Sequence, residues 1–188
     1  MRRPQIFDKR QEGIVRSEAT YFLKTERLGF RPWSLDDLPL ALVLWGDLNV
    51  TRLIGGPFYE EQVRQRLTKE IASLQTSGVQ YWPIFLLADS DFAGCCGLRA
   101  YRSEEKIFEL GFHFRPTYWG QGLAVESARA VINLARESVR AEGLFAGHHP
   151  ENLASRKVLE KLGFRFTHEE LYPATGKMHL CYLLEFPK

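Results

Sequence analysis

Three short stretches between Glu109 and Ser155 hold the residue types and spacings that could do chemistry. Along 106–114 the apolar residues Phe108, Leu110, Phe112 and Phe114 alternate with Glu109, Gly111 and His113. A strand there would set a carboxylate and an imidazole on one face, two pleats apart. Both are groups that take protons in general-base catalysis. The second stretch, Trp119-Gly120-Gln121-Gly122-Leu123-Ala124, falls between that strand and a long helix. Small residues allow a ligand close to the backbone, and the first amides of the helix lack partners, so the segment is fit to bind an anion. It is no P-loop, since no Gly-Lys-Ser or Gly-Lys-Thr follows. It is a poor dinucleotide fingerprint too, because the third small residue comes too soon. The third is Asn152-Leu153-Ala154-Ser155, where Asn152 can cap a helix. Ser155 lies one turn in, where a serine gains little from being helical.

The elements that must position these residues follow from periodicity. Strands are expected over about 22–31, 81–87, 92–100, 106–114, 144–148, 164–169 and 178–186. Ser34-Leu35-Asp36-Asp37 reads as a capping box ahead of Leu38, Ala41, Leu42 and Trp45. After Gly55-Gly56-Pro57, the acidic pair Glu60 and Glu61 opens a helix striped by Val63, Leu67, Ile71 and Leu74 and closed by Gly78. A long helix runs from Leu123 to about Arg140, and a last one from Asn152 to Gly163. The result is mixed α/β: a sheet of about seven strands with four helices.

With 188 residues, the chain is long enough for one domain with a self-sufficient core. Residues 1–19 show no clear period and read as an N-terminal extension; 20–188 form the domain. The first 18 residues hold Arg2, Arg3, Lys9, Arg10 and Arg16 against Asp8, Glu12 and Glu18, and the rest is balanced in charge. A neutral body argues against nucleic acid as a partner. The longest charge-free stretch, Ile71 to Ala88, is broken by polar residues and Pro83, and no secretory signal opens the chain, so no membrane role and a cytoplasmic location are expected. Cys95, Cys96 and Cys181 form no CxxC pair and read as small buried hydrophobes, with no metal expected.

The sequence resembles the GNAT superfamily of acyl-CoA-dependent N-acetyltransferases, in its RimJ/RimL-like, ribosomal-protein branch. The resemblance rests on four motifs in order: Thr25-Glu26-Arg27-Leu28 with Arg31-Pro32-Trp33; Glu109-Leu110-Gly111-Phe112; Tyr118 to Ala124; and Asn152, Ser155 and Leu162-Gly163-Phe164. It implies a mostly antiparallel sheet whose fourth and fifth strands splay apart, and acetyl-CoA as co-substrate. Trp119, Gly120, Gln121, Gly122, Leu123 and Ala124 would hold its pyrophosphate. Gly111, Phe112, His113 and Phe114 would pair with its pantetheine arm, as a peptide adds to a sheet edge. Asn152 and Ser155 would meet the arm from the other side. Gln121 stands where many relatives carry a cation, which leaves Arg115, Arg156 or Lys157 to supply charge.

Such a reaction needs a base for the acceptor's ammonium, stabilisation of an oxyanion, and release of a thiolate. The resemblance implies Glu109 as that base, with His113 second and His148, His149, Glu169 and Glu170 as weaker candidates. The superfamily's usual acid is a Tyr five residues before the Phe of Leu-Gly-Phe; here that position is Leu159. The resemblance to the RimJ/RimL-like branch, which has a serine at the position of Ser155, implies that this hydroxyl faces the cofactor sulfur and hydrogen-bonds the departing thiolate. The expected acceptor is a primary amine, on a peptide N-terminus or a small molecule, and the protein a monomer or homodimer. Two alternatives stand: an acyl-CoA-binding module without turnover, and a polyamine or antibiotic acetyltransferase. A polyamine would call for converging carboxylates such as Asp36, Asp47, Glu60 and Glu61.

Overall fold

A computed structural model describes residues 20–187, so the expected extension over 1–19 lies outside the described residues. The segment 22–31 is a hairpin and not a single strand. The Thr25 hydroxyl accepts the Leu28 amide at 3.0 Å, while Thr25 N–H donates to the Leu28 carbonyl at 2.8 Å. That turn separates β1 (Leu23–Lys24) from β2 (Leu28–Phe30). Among the described residues the sheet therefore has eight strands, one more than periodicity predicts. The others are β3 (Tyr81–Leu86), β4 (Phe92–Arg102), β5 (Ile107–Phe114), β6 (Gly143–His148), β7 (Arg165–Tyr172) and β8 (Lys177–Glu185). Their spatial order is β1-β2-β3-β4-β5-β6-β8-β7. Every pairing is antiparallel except β5 with β6, whose parallel run requires a helical crossover.

The helices are α1 (Leu38–Trp45), α2 (Leu48–Thr51), α3 (Glu60–Ser77), α4 (Leu123–Leu134) and α5 (Leu153–Lys161). The single turn α2 is the unexpected one; the Asp47 carboxylate caps it by accepting the Asn49 amide at 2.7 Å. The Ser34 box is present: Asp37 accepts the Ser34 amide at 2.8 Å and holds the Arg31 guanidinium with both oxygens. Burial alone would raise the Asp37 pKa, but Arg31 and Ser34 hold it below the usual carboxylate value. Gly78, at φ 73°, ends α3 in the left-handed conformation, as its position predicts. The helix expected over 123–140 is α4 continued by a π-helical turn, Ala135–Val139.

Two apolar layers sandwich the sheet. On one face Leu98, Leu110, Leu144 and Tyr182 pack under Ala128 and Val131 of α4 and Leu159 of α5. On the other, Tyr81, Phe85 and Phe92 pack under Leu44 and Trp45 of α1 and Val63 and Leu67 of α3. Strand alternation sends adjacent Cys96 and Cys95 into opposite layers, where burial pushes the Cys96 thiol up to about 12. All three cysteines are free and buried. Among the described residues, no helix is long and apolar enough to cross a membrane.

Candidate active site

The central feature is where β5 and β6 part. They pair only through Ile107–Gly143, Phe108–Leu144 and Glu109–Phe145, so β5 runs on from Leu110 to Phe114 without β6 beside it. Arg115 N–H donates to the Ala93 carbonyl of β4, and alternation then turns the backbone groups of Gly111 and His113 toward β4 as well. Those of Leu110, Phe112 and Phe114 face the opening. The Phe114 carbonyl is taken by the Trp119 indole at 2.7 Å. Phe112 and Leu110 thus carry the open edge, whereas Gly111 and His113, expected to pair with the pantetheine arm, turn their backbone groups to β4 instead.

The glycine loop meets this edge at its far end. Gly120 and Gly122 lie at φ 75° and 79°, a conformation that L side chains rarely adopt. Gly122 is the residue before α4, and the first amide bonded back within the helix is Glu126, to the Gly122 carbonyl. The amides of Leu123, Ala124 and Val125 remain available at the positive end of the helix dipole. Arg27 fixes this loop from across the fold. It donates to the Gln121 carbonyl at 3.1 Å and to the Glu126 carboxylate at 2.7 Å, and Thr25 donates to the same carboxylate at 2.6 Å. Burial opposes ionisation of Glu126, yet these bonds hold its pKa below the ordinary value. Two of the three cations expected to compensate for Gln121 have other partners: Arg115 is bonded to Asp91 and the Phe92 carbonyl, and Arg156 to Glu160. Lys157 is exposed on α5.

Glu109 is the last paired residue before the strands diverge, and its half-buried side chain points to the α1 and α3 side. Burial raises its pKa, against the opposing pull of Arg99, Tyr81 and Arg66. Tyr81 crosses Gly111 so closely that a Cβ there would coincide with the ring, and the Arg99 guanidinium lies 4.1 Å from the ring centroid. Arg99 is paired in turn with Glu70, whose second oxygen accepts the Tyr81 amide at 2.8 Å. Glu70 is 1% exposed. His113 sits deeper: its Nδ1 accepts the Trp45 indole N–H at 3.4 Å and lies 3.7 Å from Cys95 Sγ. Burial, with Arg66 and Arg99 nearby, keeps its pKa well below the usual histidine value. His113 is therefore neutral and held from beneath by α1.

On the opposite side of the opening, Asn152 Oδ1 caps α5 by accepting the Ser155 amide at 3.1 Å, and the Asn152 NH2 has no partner among the described residues. The Ser155 hydroxyl has no hydrogen bond among the described residues. His148 and His149 are both buried. His148 donates to the His149 carbonyl at 2.8 Å, and His149 Nδ1 accepts the Glu151 amide at 3.2 Å. Glu169 and Glu170 are exposed on β7. The acidic residues that a polyamine would require do not converge. Asp47 caps α2, Glu60 pairs with Arg64, Glu61 accepts from Gln65, and Asp36 is exposed. The turn between β7 and β8 lies against the loop after α2, where a Cβ on Gly55 would stand 2.9 Å from that of Ala174.

Sequence reading missed Glu70, Arg66, Arg99 and Tyr81, and placed Arg27 in a family motif without giving it a role. Glu70 had a signal: it continues the Val63–Leu67 stripe at helical spacing, and a carboxylate on a buried stripe needs a partner.

These features define an N-acetyltransferase of the GNAT type, and comparison with known proteins agrees. The acetyltransferase (GNAT) domain family matches residues 27–165, and the chain belongs to that family. N-acetyltransferase p20 of Bacillus licheniformis, itself uncharacterized, is 28% identical over 145 residues, covering 76% of this chain and 82% of that protein. A GNAT acetyltransferase from Bacillus anthracis superposes with TM-score 0.76 at 24% identity, covering 87% of this chain and 97% of the other. RimL, a ribosomal L7/L12 alpha-N-protein acetyltransferase solved with coenzyme A, superposes with TM-score 0.74 at 18% identity, covering 86% and 95%.

Proposed function

We propose that this acetyltransferase moves the acetyl group of acetyl-CoA directly to a primary amine, with Glu109 as the general base. One observation carries the reading: β5 leaves β6 at Glu109, which opens a backbone edge leading from that half-buried carboxyl group toward the loop before α4. An extended amide-bearing arm fits the Phe112 edge, and its pyrophosphate fits the free amides at Leu123, Ala124 and Val125. The left-handed glycines at 120 and 122 keep that approach clear. Asn152 donates to the arm from α5.

The acceptor reaches the cleft as an ammonium and must lose a proton before it attacks the thioester. Glu109, whose pKa is raised by burial, takes that proton directly or through one water. The free amine then attacks the thioester carbon, the second proton on its nitrogen passes to water or to the sulfur, and the C–S bond breaks as the oxyanion collapses, releasing CoA next to Ser155, whose hydroxyl donates a hydrogen bond to the sulfur without giving up its proton. The RimL likeness favours a peptide N-terminus among primary amines. Incubating the purified protein with acetyl-CoA and panels of peptides and small amines, and following free CoA together with acetylated product by mass spectrometry, tests this reading. Tight acetyl-CoA binding with no CoA release from any amine would refute it.

A further inference from the structure

We propose that Arg66 recognises an anionic group on the acceptor, so that the amine taken by this site carries a carboxylate or phosphate close to its amino group. The inference rests on the reading that the acceptor enters on the Glu109 face. Arg66 projects from α3 into that face, and its guanidinium lies 4.7 Å from the Trp45 ring centroid and 5.8 Å from that of Phe58. The aromatic faces attract the cation but offer no lone pair to its five N–H donors. Its Nε is buried without a hydrogen-bond partner, and among the described residues Arg66 makes no ion pair. Among the described residues, no nearby carboxylate is free to serve. Glu70 is held by Arg99 and the Tyr81 amide. Glu109 stands at the strand divergence, where the amine must meet it.

Charge balance points the same way. With Glu109 ionised, Arg66 and Arg99 face Glu70 and Glu109, and the cluster is neutral. An acceptor ammonium entering beside it adds one positive charge, and moving its proton to Glu109 leaves that total unchanged. An anion on the acceptor cancels the added charge, whereas a polycation enlarges it. Arg rather than Lys suits a planar, two-oxygen group such as carboxylate or phosphate.

The test compares β-alanine, β-alaninamide and spermidine, alongside hexapeptides identical except for Asp, Asn or Lys at the second position. Free CoA release gives kcat and KM for the parent, Arg66→Met and Arg66→Lys. The acid member of each set should exceed its amide by at least tenfold in kcat/KM, mostly through KM, with the cationic member poorest. Arg66→Met should erase that preference and Arg66→Lys restore part of it, both with acetyl-CoA affinity unchanged by calorimetry. Equal or better use of the amide or the cation by the parent would overturn the inference while leaving acetyl transfer intact, even if neither variant folds. So would an equal loss on every acceptor in Arg66→Met. Release of no CoA with any acceptor would overturn the acetyl-transfer reading itself, and this inference with it.

Discussion

Gly111 and Tyr81 occupy adjoining space that only a glycine permits: the Tyr81 ring lies across the Gly111 Cα where a Cβ would otherwise stand. That contact sets the ring against Glu109 and gives Arg99 its stacking surface. Gly111→Ala should push the ring aside in a layer where Tyr81 is 3% exposed. Overpacking of this kind costs about 1–3 kcal/mol. A lower urea midpoint with unchanged slope, and a kcat reduced more than KM rises, are the expected results. A variant as stable and active as the parent would show that the ring has room to move.

Gly122→Val should abolish measurable acetyl-CoA binding while the fold survives. The obstacle is conformational, since the nearest atom to a Cβ there is an Arg27 nitrogen at 3.8 Å. At φ 79° a β-branched residue is strained, and relaxing it would rotate the α4 amides away from the pyrophosphate. Calorimetry on a variant with a parental circular dichroism spectrum decides the matter; retained affinity would remove the pyrophosphate assignment.

Arg27→Met should weaken acetyl-CoA binding about fivefold without touching the ligand, because Arg27 positions the loop through Gln121 and Glu126. The same network predicts acid sensitivity. A carboxyl held below its ordinary value adds stability that is present above about pH 4.5 and is lost as pH falls through the folded-state value. Between the parent and Glu126→Gln, the stability difference should shrink as pH falls below that point. A difference independent of pH would mean the carboxylate's charge is not what anchors the loop.

What the sequence disclosed and what it hid divide on physical lines. Alternation alone assigns Glu109 and His113 to one face and Phe112 and Phe114 to the other, because a strand's period is fixed. The loop glycines are legible because few other residues tolerate their backbone. The β1–β2 hairpin is not, since Thr25-Glu26-Arg27 contains no glycine, proline or asparagine, and the turn is closed by the Thr25 side chain. Arg27 is hidden for another reason: its partners lie 94 and 99 residues away. The same holds for the cluster that gathers Arg66 and Glu70 from α3, Tyr81 from β3, Arg99 from β4 and Glu109 from β5. No periodicity encodes which face of α3 meets which strand pair, so charge neutralisation in that cluster emerges only from the fold.

The proton-transfer assignment gives the most demanding prediction. Glu109→Gln keeps the volume and hydrogen-bonding capacity of the side chain but cannot hold the amine's proton. Turnover should fall about 10²-fold with acetyl-CoA affinity nearly unchanged. The defect should narrow at high pH, where more acceptor arrives as free amine. Because burial raises the Glu109 pKa, the acid limb of the parent's kcat/KM profile should lie above the ordinary carboxylate value of 4.5, and that limb should vanish in the variant. Stability supplies an independent sign. A carboxyl raised on folding costs nothing below its unfolded value and destabilises progressively as pH climbs through the folded one. Glu109→Gln should therefore match the parent's stability below pH 4.5 and exceed it near neutrality. Ser155→Ala is the companion: a thiolate leaves with little help, so its turnover should drop only a few-fold with the pH profile unmoved. Parallel pH profiles with less than threefold loss in Glu109→Gln would reassign the base, and His113, neutral and hydrogen-bonded to Trp45, would be the next side chain to test.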